Sequence, residues 1–177
     1  MSTETAEVFF SLLAIVAAAG AVVLGASNLL ASRSAAAATI VATFSGPALP
    51  IATLVAATCM AGSLYFSEAA HFIPCTLCWY QRIAMYPLVV ILGIAALRRD
   101  RDVWHYVVPL AGLGAIISTY HYIVEWYPEA DSGVCSRSIP CSTVWFRQFG
   151  FVTLPLMALC GFALIVSLVT LPPQEDE

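Results

Sequence analysis

The chain has 177 residues, of which 60% are hydrophobic and only 10% are charged. Soluble domains carry about 25% charged residues, so this composition indicates a membrane protein. The net charge is −4, which excludes the basic surface that nucleic-acid binding requires.

Five apolar segments reach the roughly 20 residues that a transmembrane helix needs. They cover residues 8–30, 49–70, 79–97, 104–125 and 149–171. The first segment follows the acidic residues Glu4 and Glu7, whereas a signal peptide begins with basic residues. We therefore expect an uncleaved helix, with a signal peptide cleaved near the small residues 35–38 as the alternative. The fold class predicted is an all-α membrane protein.

Arginine positions predict the orientation of these helices. Arg98, Arg99 and Arg101 lie in the short gap between the third and fourth segments, and positive charge near helix ends favours the cytoplasm. The gaps at residues 71–78 and 126–148 then lie outside, where disulfides persist. Four of the six cysteines fall in these two outer gaps, namely Cys75, Cys78, Cys135 and Cys141. The other two, Cys59 and Cys160, lie inside apolar segments and are expected to be structural.

Cys75 and Cys78 form a Cys-x-x-Cys pair directly after Pro74, a residue that is favoured at the start of a helix. Exposed N–H groups and the helix dipole at such a start favour a thiolate. Arg82 lies four residues after Cys78 and hence on the same helix face. It is expected to stabilise the Cys78 thiolate or charge forming on a bound oxidant; the alternative is that it reaches to lipid headgroups.

The second pair, Cys135 and Cys141, occupies the long outer loop with five residues between the cysteines. This spacing suits a disulfide that is made and broken. The alternatives are a static staple and a zinc site held by all four outer cysteines, although structural zinc usually pairs two short cysteine knuckles. His121, near the outer end of the fourth segment, could donate a hydrogen bond to a carbonyl oxygen or shuttle a proton. It could also be an ordinary interfacial histidine among aromatic residues.

These motifs together resemble the DsbB family of membrane disulfide-forming oxidoreductases, in its compact BdbC-like form. The resemblance covers about residues 63–164 and includes residues 63–68, 74–82, 120–122 and 149–155. Its specific part is the Cys-x-Leu-Cys-x-Tyr-x-Arg core combined with a second outer cysteine pair.

The resemblance implies a four-helix transmembrane bundle, which we place at residues 48–171. Residues 1–47 lie outside the resemblance and are expected to form an extra N-terminal transmembrane helix and linker. By the arginine bias, residues 172–177 would form an acidic cytoplasmic tail. The resemblance further implies a thiol:quinone oxidoreductase that reoxidises a thioredoxin-like partner of the DsbA type. Electrons would pass to a membrane quinone of the ubiquinone or menaquinone type.

The resemblance also implies a role for each cysteine. Cys135 would form the mixed disulfide with the partner, and Cys141 would pass electrons to Cys75. Cys78 would then contact the quinone.

Arg82 and His121 match the family residues that bind the quinone. The chain departs from the family pattern in its extra first helix and in its short second-pair loop. Three alternatives remain: a vitamin K epoxide reductase-like thiol oxidase, a membrane carrier of reducing equivalents, and a non-enzymatic scaffold with structural disulfides.

Overall fold

The computed structural model describes residues 2–136 and 138–173, and these residues are helical apart from loops and one isolated β-bridge between Gln148 and Val152. The helices are α1 (Thr3–Leu30), α2 (Ala35–Ser45), α3 (Ala48–Leu64), α4 (Thr76–Arg98), α5 (Trp104–Trp126) and α6 (Leu154–Val169). A π-helical turn, Tyr65–Ala69, extends α3, and a 3-10 turn, Pro128–Ala130, follows α5. The all-α membrane fold is confirmed. Met1, Arg137 and residues 174–177, which hold the acidic part of the predicted tail, lie outside the described residues.

Four stretches of the described chain are long and apolar enough to cross a membrane: α1, α3 with its π turn, α4 and α5. The fifth predicted segment differs, because α6 begins only at Leu154 and has 16 residues. Phe149 and Gly150 have φ values of 54° and 81°, a left-handed backbone that cannot continue a helix. The predicted linker also differs, since it contains α2, whose first turn is capped by the Ser34 side chain.

Hydrogen bonds between α1 and the segment around α6 show that the two helices run in the same direction. Gln148 Nε2 donates to Glu7 Oε2 at one end, at 3.0 Å, and Asn28 Nδ2 donates to the Thr170 carbonyl at the other, at 3.2 Å. The start of α1, the α3–α4 connection and the loop after α5 therefore share one end of the bundle, called here the cysteine end. The short turn after Arg98 lies at the opposite end.

Small residues allow the helices around α6 to approach closely. A Cβ atom on Gly114 of α5 would lie 2.3 Å from the Phe162 ring, and one on Gly161 would lie 2.6 Å from Cys59 Sγ. Such small-residue contacts are typical of helix pairs in membranes. α6 consequently packs against α1, α3 and α5, and α4 packs between α3 and α5.

Candidate active site

The first cysteine pair lies at the N-terminus of α4. Cys75 is the N-cap residue, and its Sγ accepts a hydrogen bond from the Cys78 backbone N–H at 3.3 Å. Both thiols are free, with their sulfur atoms 2.8 Å apart. Cys75 is buried, whereas Cys78 is half-buried. The predicted helix start is confirmed, and a disulfide can form here with little movement.

His121 lies next to Cys75 rather than at the cavity that Cys78 faces. Its Nε2 is 3.1 Å from the Cys141 carbonyl oxygen and 3.6 Å from Cys75 Sγ. A carbonyl oxygen can only accept, so Nε2 carries the proton and the opposite nitrogen, Nδ1, accepts from the Gln81 amide at 3.2 Å. The imidazole thus has one orientation, and its single N–H lies between the two cysteine pairs.

These contacts favour ionisation of Cys75. The hydrogen bond from the Cys78 thiol is the largest effect, and together with the hydrogen bonds from His121 and the Cys78 backbone N–H it outweighs burial and lowers the pKa of Cys75 to about 4. The sequence argument gave the thiolate to Cys78. In the structure Cys75 receives the backbone N–H of Cys78, because it is the N-cap residue. It also contacts the His121 imidazole of α5.

The second pair is a disulfide between Cys135 and Cys141, with Cα atoms 5.7 Å apart. Cys141 is 1% exposed and packs with Cys75, while Cys135 is half-buried beside a cavity of about 310 Å³. The Tyr120 hydroxyl holds the start of this loop by donating to the Ala130 carbonyl at 3.1 Å. Both cysteines of the disulfide therefore pack near the first pair, but only Cys135 is partly exposed.

Cys78 lines a second, mostly apolar cavity of about 340 Å³, within the range of about 300–1,000 Å³ typical of small-molecule sites. Its walls come from α1, α3, α4 and α6, and the aromatic side chains of Phe72 and Trp145 stack at its edge with ring centroids 4.8 Å apart. A few polar side chains interrupt this lining, namely Thr58, Ser63, Ser67, Gln81, Arg82 and Tyr86.

Arg82 lies on this cavity together with Cys78, as their spacing predicts. One of its NH2 protons goes to the Ser63 carbonyl at 3.1 Å, and its guanidinium lies 5.3 Å from the Trp79 ring centroid. A guanidinium has five N–H donors, so the described contacts leave donors for a ligand. A flat apolar molecule with carbonyl oxygens fits this combination of apolar walls and a cation.

Two buried polar residues at the site were missed by sequence reasoning. Gln81 fixes the His121 ring, and Glu125, one helical turn after His121, is buried with an Oε2 that has no hydrogen-bond partner among the described residues. The i+4 spacing from His121 could have identified Glu125. Gln81 could not be found by spacing, because its partner lies on another helix.

Cys59 and Cys160 are free thiols within α3 and α6. Cys160 is buried, and Cys59 lies against the Gly161 backbone and on the wall of the Cys78 cavity. Neither takes part in the arrangement around His121.

The ligand atoms of Cys75, Cys78 and His121 lie within 4.8 Å of one another, which is close enough for three of the four ligands of a tetrahedral zinc site. The predicted alternative with four cysteine ligands does not match this structure, because Cys135 and Cys141 are bonded to each other.

Comparisons with known proteins show the family to which the chain belongs. The family model described as "Disulfide bond formation protein DsbB" matches residues 46–171. Disulfide bond formation protein C of Bacillus subtilis (strain 168) is 51% identical over 124 residues, which is 69% of this chain and 89% of the relative.

A probable disulfide formation protein of Oceanobacillus iheyensis is 43% identical over 66% of this chain and 82% of the relative. Probable disulfide formation protein C 1 of Bacillus anthracis is 49% identical over 59% of this chain and 76% of the relative. The search of solved structures gave no match. The matches favour a disulfide-forming enzyme over the vitamin K epoxide reductase-like and scaffold alternatives. The chain belongs to the DsbB family and is a multi-pass membrane oxidoreductase of the disulfide-forming type.

Proposed function

We propose that this protein oxidises a thioredoxin-like partner of the DsbA type and passes the electrons to a membrane quinone. One observation carries the proposal. The His121 N–H reaches both the Cys141 carbonyl and Cys75 Sγ, while Cys78, the neighbour of Cys75 in the first pair, opens onto an apolar cavity with Arg82. These contacts support a path for two electrons from the loop disulfide to the membrane interior.

The first exchange takes place at the loop disulfide. A thiolate of the partner attacks Cys135, and Cys141 leaves as a thiolate. The second thiol of the partner then releases Cys135, so the partner gains a disulfide and the pair Cys135 and Cys141 is reduced.

The second exchange joins the two pairs. The Cys141 thiolate attacks Cys75 in the oxidised first pair, which frees Cys78. Cys135 then attacks Cys141, re-forming the loop disulfide and releasing Cys75 as a thiolate. A thiol of low pKa leaves readily, and the pKa of Cys75 is lowered to about 4 by its hydrogen bonds from Cys78 and His121. We accordingly assign His121 to this exchange rather than to a quinone oxygen.

The third exchange regenerates the first pair. Cys75 and Cys78 lose two electrons and re-form their disulfide, and Arg82 stabilises negative charge beside Cys78. Arg82 and the apolar walls of the cavity would hold a quinone ring beside Cys78, and the quinone would supply the two-electron, two-proton acceptor for this oxidation. The mostly apolar lining, with its few polar groups near Arg82, fits a ubiquinone or menaquinone ring.

The chemistry faces the extracytoplasmic side in this proposal. Arg98, Arg99 and Arg101 lie at the end of the bundle opposite the cysteines, and positive charge favours the cytoplasm. The half-buried Cys135 is then the sulfur that an extracytoplasmic partner reaches.

The test is quinone reduction by the purified protein with a reduced thioredoxin-like donor. We expect turnover in the wild type and in Cys160→Ser, which changes a thiol remote from His121, and no turnover in Cys78→Ser. The Cys78→Ser protein should still form a mixed disulfide with the donor. Quinone reduction that survives in Cys78→Ser would overturn the proposal.

A further inference from the structure

The cavity beside Cys78 has a wall that lies outside the family-matched region. That region begins at residue 46, whereas Phe10, Leu13, Ala14, Val16 and Ala17 of α1 line the cavity. The remaining walls belong to α3, α4, α6, the α3–α4 connection and Trp145 of the loop before α6. The extra N-terminal helix is therefore part of the cavity and not an appendage beside the bundle.

Contacts along its whole length hold α1 in this position. Besides the hydrogen bonds to Gln148 and Thr170, the Ser167 hydroxyl of α6 donates to the Ala21 carbonyl at 3.2 Å. A Cβ on Gly62 of α3 would lie 2.8 Å from the Phe10 ring, so the ring lies directly on the α3 backbone. The wall is thus fixed from both neighbouring helices.

The polarity of the cavity changes with depth. Phe10 packs at the cysteine end with Phe66, close to the level of Cys78 and Arg82. Ala17 lies seven residues further along α1, which corresponds to about 10 Å at 1.5 Å per residue. Most polar groups of the cavity are thus near the cysteine end, where the Tyr86 hydroxyl donates to Ser63 Oγ. Thr58 lies about 8 Å deeper on α3, and the small apolar residues Ala14 and Ala17 of α1 line the deeper part.

We propose that α1 forms the seat for the isoprenoid tail of the quinone, with Ala14 and Ala17 giving it room. This inference rests on the proposed function, which requires the quinone ring at Cys78 and Arg82. A tail attached to that ring must run away from the polar end, and the small side chains on α1 leave space along that direction. The helix that the family pattern lacks would then set which acceptors bind tightly.

The test compares two alanines of α1 that differ only in the side they face. Ala17 lines the cavity, whereas Ala19 is exposed on the outer surface of the helix. The full-length protein in detergent is titrated with a benzoquinone carrying two isoprenoid units and with the same ring without a tail. Binding is read as quenching of tryptophan fluorescence, since Trp145 lines the cavity.

We expect Ala17→Phe to weaken binding of the prenylated quinone about tenfold, equivalent to about 1.4 kcal/mol. Binding of the tailless ring should stay within about twofold of wild type, a change of about 0.4 kcal/mol. Ala19→Phe should leave both affinities unchanged. Equal affinities of the two variants for the prenylated quinone would overturn the inference.

A second pair guards against misfolding of Ala17→Phe. Leu13 lines the cavity and Leu12 does not, although both are exposed. Leu13→Ala should weaken binding of the prenylated quinone severalfold through lost apolar contact, and Leu12→Ala should not. No difference between these two variants would also refute the assignment. If the wild type neither binds nor reduces quinone, the proposed function itself is wrong. If the wild type turns over normally but each pair of variants binds the prenylated quinone equally, only the role of α1 is wrong.

Discussion

The single N–H of His121 should control the ionisation of Cys75, and replacing the imidazole by a ring of similar size tests this. In His121→Phe, the contact at 3.6 Å between Nε2 and Cys75 Sγ is lost. A hydrogen bond to a charged group contributes about 1.5–3 kcal/mol, and one pKa unit corresponds to 1.36 kcal/mol. The contact is long, so we expect the lower end of this range, a rise of about one unit from the wild-type pKa of about 4.

The direction of the change in alkylation rate follows because the thiolate is the reactive form of cysteine. A higher pKa lowers the thiolate fraction of Cys75 at acidic pH. It leaves that fraction unchanged at pH values well above both pKa values. With pKa values of about 4 and 5, the thiolate fraction at about pH 4.5 falls about threefold. Near neutral pH both thiols are ionised, and the variant thiolate, with its higher pKa, should react about two- to threefold faster; the expected difference is therefore a shift in the midpoint of the pH profile by about one unit.

The assay is alkylation of Cys75 by iodoacetamide across this pH range, followed by mass spectrometry of its peptide. A Cys78→Ser background keeps Cys75 reduced and retains a hydrogen-bond donor beside it. His105→Phe is the matched control, because His105 lies at the opposite end of α5 and contacts the Asp102 carbonyl. Identical pH profiles for the two histidine variants would refute the assigned role of the His121 N–H.

Three further predictions concern the cavity, the packing and a possible metal. Arg82→Met should lower kcat/KM for the quinone at least tenfold, since a charge-assisted contact is worth about 1.5–3 kcal/mol. Steady-state kinetics will measure this beside the exposed control Arg98→Met. Equal kcat/KM values of the two variants would contradict the prediction. Gly114→Ala should destabilise the bundle by about 1–3 kcal/mol, because its Cβ would lie 2.3 Å from Phe162. Gly112→Ala meets nothing within 4 Å, and thermal unfolding in detergent should separate the two. Turnover should survive EDTA, and a loss that zinc restores would instead assign the two thiols and the imidazole to a metal.

The sequence predicted those features that depend on residue type and short spacing. Apolar length located the long helices, and Pro74 located the start of α4 to within two residues. The i+4 spacing brought Cys78 and Arg82 to one cavity. Hydropathy failed at residues 149–153, because these are apolar but have a backbone set by the turn at Phe149 and Gly150.

The contacts of His121 were beyond sequence reasoning for a different reason. Its depth in the membrane could be estimated from its place in α5, but the direction of its ring depends on Gln81 of α4 and on the Cys141 carbonyl of a loop. Such contacts join residues 20 or more positions apart. The extra helix gave no sign of its contribution to the cavity, because an alanine facing a ligand and an alanine facing lipid look alike in a sequence.

The unequal exposure of the sulfur atoms has a consequence for selectivity in a cell that contains soluble thiols. Cys75 and Cys141 are 5% and 1% exposed, and Cys78 opens toward a mostly apolar cavity. Among the four cysteines of the two pairs, Cys135 is therefore the one that a hydrophilic reductant from the aqueous phase reaches. Under the proposed function it is also the sulfur that the partner would attack. The burial of Cys75 and Cys141 and the apolar surroundings of Cys78 would thus protect the later steps of the proposed electron path from reduction by small soluble thiols.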